Sequence, residues 1–314
     1  MKAVRFHNVG GPDVLRVEDV EIPTPAAGQV RLRVTASAFN AADNGMRAGF
    51  LPIPISLPHI PGYDVSGVVD ALGAGVDGLE VGQSVIGFLP MEADGGAAEY
   101  VVAPAAGLVA APRRVPLADA AALPSVALTA WQALFDDGRL HAGQRLLIVG
   151  AGGAVGGHAI RLARRAGAHV IATASSRSVA AVAAAGADVI IDHAARSLLD
   201  AVTEPVDVLL NLAPLDPEEF ASLVALVREG GTVVSTTAFM TTPSDETRGV
   251  HAATVFVRAN RERLAQIVGL VDAGELVVGV DRRIGLDALP ALHAEASEGR
   301  IAGKVVVLAS DADR

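Results

Sequence analysis

The chemistry-bearing residues that stand out first are Gly150-Ala-Gly-Gly-Ala-Val-Gly156, which follow the apolar run Arg145–Val149 and precede the helix-forming run 158–165. Ala151, Gly153 and Gly156 are spaced as AxGxxG, a one-residue variant of the turn that carries a dinucleotide pyrophosphate. A missing side chain at Gly153 lets backbone approach the anion, and Gly156 lets the helix sit close to the strand. The free N–H groups and dipole of the helix N-terminus then face the phosphates. Ala151, Gly152, Gly153, Ala154, Val155 and Gly156 are therefore read as cofactor-binding. About 20 residues further on, an NAD site places a carboxylate on the ribose hydroxyls. The stretch 172–185 contains no acidic residue, and Ser175, Ser176 and Arg177 instead supply hydroxyls and a guanidinium suited to a 2′-phosphate. The cofactor expected is NADPH.

The elements that must hold these residues follow from the pattern of apolar runs. From residue 146 onward, short apolar segments at 146–149, 169–173, 189–191, 207–212, 232–237 and 254–257 alternate with helix-length stretches. That alternation predicts a doubly wound parallel sheet, the Rossmann arrangement. Before it, short β-branched runs at 30–34, 65–69 and 83–88 sit among Gly and Pro and predict a mainly β region. A helix over 258–273, stopped by Gly274, and a strand at 304–308 close the chain. The fold class is α/β, in two domains: 1–124 completed by 258–314, and 125–257.

Composition narrows the function. Apolar residues make up 51% of the 314 and charged residues 19%, which fits a globular chain with a sheet covered on both faces. With 25 basic and 35 acidic residues the net charge is −10, so a nucleic-acid partner is not expected. Charges, Pro or Gly interrupt every apolar run before the roughly 18–20 residues that a bilayer needs, so no membrane span is expected. The N-terminal stretch has no secretory h-region and cleavage site, and a cytoplasmic location is expected. There is no cysteine, which excludes disulfides, thiolate catalysis and cysteine-ligated zinc. The 8 histidines form no HxH or HxxxH pair, and no metal site is expected.

Six short segments occur in one order along nearly the whole chain: MKAVRFHNVGGPDVL at the start, Phe39-Asn-Ala-Ala-Asp43, Pro61-Gly-Tyr-Asp-Val-Ser-Gly67, Gly95-Gly-Ala-Ala-Glu-Tyr-Val101, Ala127-Leu-Thr-Ala-Trp131 and Gly303-Lys-Val-Val306. Together with the glycine turn they resemble the zinc-independent quinone oxidoreductase branch of the medium-chain dehydrogenase/reductase family. The resemblance implies a GroES-like, mainly β catalytic domain with the Rossmann domain inserted. It implies that Asn40 and Tyr63 occupy positions where zinc-dependent relatives have a cysteine and a histidine, so both ligands are replaced here.

The resemblance also supplies roles. Asn40 is expected beside the nicotinamide, its amide bonding a ribose hydroxyl or substrate oxygen. Tyr63 is expected near the reacting carbon as a hydrogen-bond or proton donor, and Thr129 at the nicotinamide end of the cofactor. His193 is expected near the adenine, and Ala213, just after the fourth Rossmann strand, is assigned to the cofactor. Asp43 and Asp64 are read as structural, because a carboxylate beside a developing enolate opposes hydride transfer. Gly45 stands where some relatives carry a pocket-lining tyrosine, which predicts a wider pocket, with Phe50 as the nearest aromatic.

Hydride from nicotinamide to an electron-poor carbon needs neutral donors for the oxygen that gathers charge. The expected activity is NADPH-dependent, metal-independent reduction of a small-molecule quinone or α,β-unsaturated carbonyl by a homodimer paired through the edge strand near 254–257. A non-catalytic NADPH-binding sensor and a zinc-independent alcohol dehydrogenase are the alternatives.

Overall fold

The computed structural model describes residues 1–237, 239–301 and 303–310. It divides into two compact units, Met1–Ser125 with Ala259–Arg314, and Val126–Arg258.

The first unit is built on β1 (Lys2–Phe6), β2 (Leu15–Asp19), β3 (Gln29–Ala38), β4 (Asp64–Leu72), β5 (Ser84–Phe88), β6 (Tyr100–Pro104) and β7 (Leu108–Ala110). β1 and β2 form an antiparallel hairpin, while β3 is the hub of a larger sheet, paired with both β4 and β6. Apolar and polar residues alternate along β3, so Val30, Leu32 and Val34 enter one core cluster. After β3 the chain turns at Asn40 into the helix Ala41–Ala48, where the Asp43 carboxylate accepts from the Asn40 N–H at 2.8 Å. Gly49, at φ +79°, ends that helix.

The second unit holds β8 (Arg145–Val149), β9 (His169–Ala174), β10 (Val189–Asp192), β11 (Val206–Asn211), β12 (Val227–Ser235) and β13 (His251–Thr254) in one parallel sheet of order β10-β9-β8-β11-β12-β13. Leu146, Leu147 and Ile148 are completely buried, as a strand covered on both faces requires. The chain winds outward from β8 to β10, then returns to β11 beside β8 and winds the other way. The order of the strands therefore reverses between β8 and β11, where a parallel sheet opens its ligand crevice at the carboxyl ends.

The chain then returns to the first unit through the helix Arg261–Asp272, β14 (Arg282–Gly285), the helix Leu289–Ser297 and β15 (Val305–Leu308). β15 lies between β14 and β3, with Val307 opposite Ser37, so the end of the sequence is delivered beside the residues that lead into Asn40.

Several boundaries differ from the sequence reading, among them β12, which runs Val227–Ser235 rather than 232–237, and two of the differences have a direct physical reason. The last Rossmann strand is His251–Thr254 rather than 254–257, because pairing with Thr232–Ser235 sets it, whereas the apolar Val255 merely follows with its N–H on Ser235. The helix expected from 258 starts at Arg261, since the Asn260 side chain caps it by accepting from the Arg263 N–H.

Candidate functional site

In the second unit the predicted cofactor residues gather along the carboxyl edge of the sheet. Gly150 leaves β8 at φ +80°, and its N–H donates to Thr173 Oγ1 at 2.9 Å, tying the turn to β9. A Cβ on Gly150 would stand 2.8 Å from that of Ala213, which places Ala213 against the turn, as β8 and β11 are neighbours. A Cβ on Gly156 would fall 2.2 Å from the Ala151 carbonyl oxygen, so the helix Ala154–Arg165 can start this close to the turn only with glycine there. At Gly153 a Cβ would meet nothing within 4 Å, and Gly152 and Gly153 are both exposed. The turn thus offers open backbone at the N-terminus of a 12-residue helix.

The Ser175 turn follows β9 directly. Ser178 Oγ accepts from the Ser175 N–H at 3.0 Å, winding the segment so that Ser176 and Arg177 are exposed beside the glycine turn. His193 is exposed after β10, its N–H directed at the Ala174 carbonyl at 3.4 Å. Thr129 lies half-buried on the helix Pro124–Trp131 of the same unit.

Asn40 and Tyr63 belong to the first unit. Asn40 is half-buried, and its amide sits on a buried polar cluster. Its Nδ2 donates to Asp64 Oδ2 at 2.9 Å, while its Oδ1 accepts from Lys304 Nζ and has Ser125 Oγ 3.3 Å away. Asp64 is fully buried and also takes the Ser125 N–H at 2.7 Å. Asp43 holds the Gly62 N–H at 2.8 Å. Both carboxylates are thus structural, as expected from the sequence.

Lys304 is the residue that sequence reasoning passed over. The segment Gly303-Lys-Val-Val306 served only as a family motif, although a lysine heading four buried strand residues is itself a signal, because a buried ammonium requires partners. Those partners are the Phe39 carbonyl at 3.2 Å, Asn40 Oδ1 and Asp64 Oδ2 at 3.5 Å. Burial lowers its pKa, opposed by Asp64 and Asp43.

Tyr63 is 1% exposed, and its hydroxyl meets His59 Nε2 at 2.9 Å. Burial, with the charge of Asp43, pushes the hydroxyl pKa up, and burial pushes that of His59 down. His59 Nδ1 faces the Asp94 carboxylate at 3.8 Å, and the donor in the Tyr63–His59 pair is set by which ring nitrogen carries the proton. The Tyr63 hydroxyl is thus buried and paired with His59 inside the first unit. Gly45 does not widen a pocket either: a Cβ there would lie 3.1 Å from Leu51 Cγ, so Leu51 already occupies that space, while Phe50 is exposed. A separate 370 Å³ depression in the first unit, flanked by Arg5, Glu21, Asp94 and Tyr100, takes in none of the sequence-predicted residues.

The pattern of the alcohol dehydrogenase GroES-like domain matches residues 26–113, and that of zinc-binding dehydrogenase matches residues 185–307. The chloroplastic quinone-oxidoreductase QR1 of Triphysaria versicolor is 31% identical over 98% of this chain and 98% of its own length. This chain belongs to the medium-chain dehydrogenase/reductase family. Within that family it is quinone oxidoreductase-like. The solved quinone oxidoreductase of Coxiella burnetii superposes with a TM-score of 0.90 at 29% identity, over 98% of this chain and 99% of that one. A further relative, the 2-methylene-furan-3-one reductase of Solanum lycopersicum, is 30% identical over 98% of this chain and 79% of its own.

As a medium-chain dehydrogenase/reductase the chain is an oxidoreductase, and the family implies a nicotinamide cofactor. The glycine turn fits such a group, since the backbone at Gly152 and Gly153 is exposed and a Cβ on Gly153 would project into open space that the group could occupy. Among the described residues, no three His, Cys, Asp or Glu side chains group as a metal site would require, and no helix is long and apolar enough to cross a membrane.

Proposed function

We propose that this chain is an NADPH-dependent, metal-independent reductase of quinones or α,β-unsaturated carbonyl compounds. The observation that carries the proposal is the convergence of the Gly150–Gly156 turn, Ser175, Ser176, Arg177 and Ala213 at the carboxyl edge of one parallel sheet, with no carboxylate where NAD enzymes hold the ribose. The names of the quinone oxidoreductase and furanone reductase relatives support the substrate class.

NADPH, when bound, supplies the hydride. The residues of the chain do the rest. Backbone N–H groups of Gly152 to Val155 bind the pyrophosphate, and Arg177 with Ser175 and Ser176 binds the 2′-phosphate. Thr129 and Asn40 are assigned to the nicotinamide end, where the Asn40 amide donates to a ribose hydroxyl or to the substrate oxygen on which charge develops. Asn40 and Tyr63, in place of a cysteine and a histidine, offer a donor set poorly suited to zinc, which supports the metal-free reading. A homodimer is part of the proposal, supported by the place of β13 at the end of the parallel sheet among the described residues.

The test is to mix the purified protein with NADPH or NADH and a panel of small quinones, enones and alcohols. Oxidation of NADPH by quinones or enones in preference to NADH is the expected result. Tight binding of NADPH without turnover on any of them would establish a sensor instead, and alcohol-dependent reduction of NADP would establish an alcohol dehydrogenase.

A further inference from the structure

The side-chain amide of an asparagine is nearly symmetric in shape, so which of its two ends faces a ligand is decided by its neighbours. At Asn40 those neighbours are opposite charges. Lys304 Nζ lies on the oxygen side, and Asp64 Oδ2 lies 2.9 Å from the nitrogen. Turning the amide over would press its NH2 against an ammonium and its oxygen against a carboxylate, each in a buried setting where like partners repel strongly. Lys304 is itself fully committed: its three donors meet the Phe39 carbonyl, Asn40 and Asp64. Ser125 holds Asp64 in place, with its N–H on Oδ1 and its hydroxyl on Oδ2, the oxygen that also takes the Asn40 amide.

We infer that Lys304 is a positioning residue which, with Asp64, clamps the Asn40 amide in a single orientation and so fixes which hydrogen the site presents. The inference rests on the role proposed above for Asn40. Lys304 is 4% exposed and Asp64 is fully buried, whereas Asn40 is half-buried. The cluster therefore reaches outward through Asn40. With Oδ1 taken by Lys304, the Asn40 group left for a ligand is the second Nδ2 hydrogen, which has only a long 3.4 Å contact to the Ala38 carbonyl. Asn40 is thereby presented as a donor, the polarity that an oxygen gaining negative charge requires. β15 delivers Lys304 to this place from 264 residues away through its pairing with β3, so the last strand of the first unit completes the site as well as the sheet.

The test uses four proteins with NADPH and a small benzoquinone: wild type, Asn40→Ala, Lys304→Arg, and the double variant Lys304→Met with Asp64→Asn, which removes both charges so that no lone ion remains buried. The double variant should lose about 10- to 100-fold in kcat with little change in KM for the quinone, and Lys304→Arg should recover part of that loss. In parallel, the Asn40 side-chain NH2 signal in a ¹H–¹⁵N spectrum, identified by its disappearance in Asn40→Ala, should be protected from exchange in wild type and lose that protection in the double variant. Lys304→Gln combined with Asp64→Asn, which also removes both charges but keeps polar groups at both positions, gives the same readout should the first double variant fail to fold. An unchanged Asn40 signal in the charge-free variants overturns the clamp. If Asn40→Ala leaves kcat untouched, the catalytic role of Asn40 fails instead, and the spectrum still decides the clamp.

Discussion

Ser178 stands where any side chain on Gly152 would have to go: a Cβ on Gly152 would lie 2.6 Å from both Cβ and Oγ of Ser178. The glycine turn and the Ser175–Ser178 turn are thereby packed together, which joins the proposed pyrophosphate and 2′-phosphate contacts into one surface. Gly152→Ala should displace the Ser175 turn and raise the KM for NADPH by about 10-fold or more, with the thermal midpoint little changed. Cofactor fluorescence titration measures it, and an unchanged affinity would separate the two turns functionally.

Gly156 and Gly153 should respond in opposite ways to the same substitution. Gly156→Ala drives a methyl group into the Ala151 backbone, which cannot move aside, and should cost about 3 kcal/mol of stability. Gly153→Ala meets open space and should fold normally while weakening NADPH binding. Denaturation midpoints set beside cofactor affinities for both variants show whether this division holds.

Arg177→Ala should raise the KM for NADPH by roughly 10- to 100-fold, the value of a charge-assisted contact to phosphate, and leave that for NADH nearly unchanged. Equal effects on the two cofactors would remove Arg177 from the 2′-phosphate site.

Because the Tyr63 hydroxyl is buried against His59, Tyr63→Phe should keep most of the turnover. Its cost should appear as about 1 kcal/mol of stability, as His59 Nε2 loses its partner. A collapse of kcat with an intact fold would return Tyr63 to the reacting centre.

Asp43 gives the fold a pH dependence. Burial raises its carboxyl from 3.8 to about 6, against the lowering effect of the Asn40 and Gly62 N–H groups; Asp64 adds to the rise and Lys304 opposes it. The folded protein therefore retains this proton over a range, about pH 4 to 6, in which the unfolded chain has released it, so stability from this group is full below that range and is lost as pH rises through it. The shift corresponds to roughly 3 kcal/mol. Urea denaturation of wild type and Asp43→Asn at about pH 4 and about pH 7 should show wild type losing ground to the variant at the higher pH. A gap that does not vary with pH would contradict the assignment.

Much of the cofactor side was legible in the chain because its signals are local. The strand, turn and helix around Gly150–Gly156 are contiguous, and the Ser175–Arg177 segment follows the next strand at the spacing that one crossover imposes. The Asn260 cap was also local, but the reading followed the apolar period and so began the helix too early. The strand His251–Thr254 was misplaced because its position depends on the register of β12, which apolarity does not encode. Leu51 over Gly45, and His59 on the Tyr63 hydroxyl, are contacts whose partners no periodicity names.

The sequence by itself determined the fold class, the strand, glycine turn and helix around Gly150–Gly156 and the exclusion of cysteine chemistry, since each depends on residue type and short spacing. Tertiary structure decided which partners Asn40, Tyr63 and Lys304 have. The physical reason is that buried charge is tolerable only beside its partners, and here strand pairing brings Lys304, Asp64 and Asn40 together from both ends of the chain.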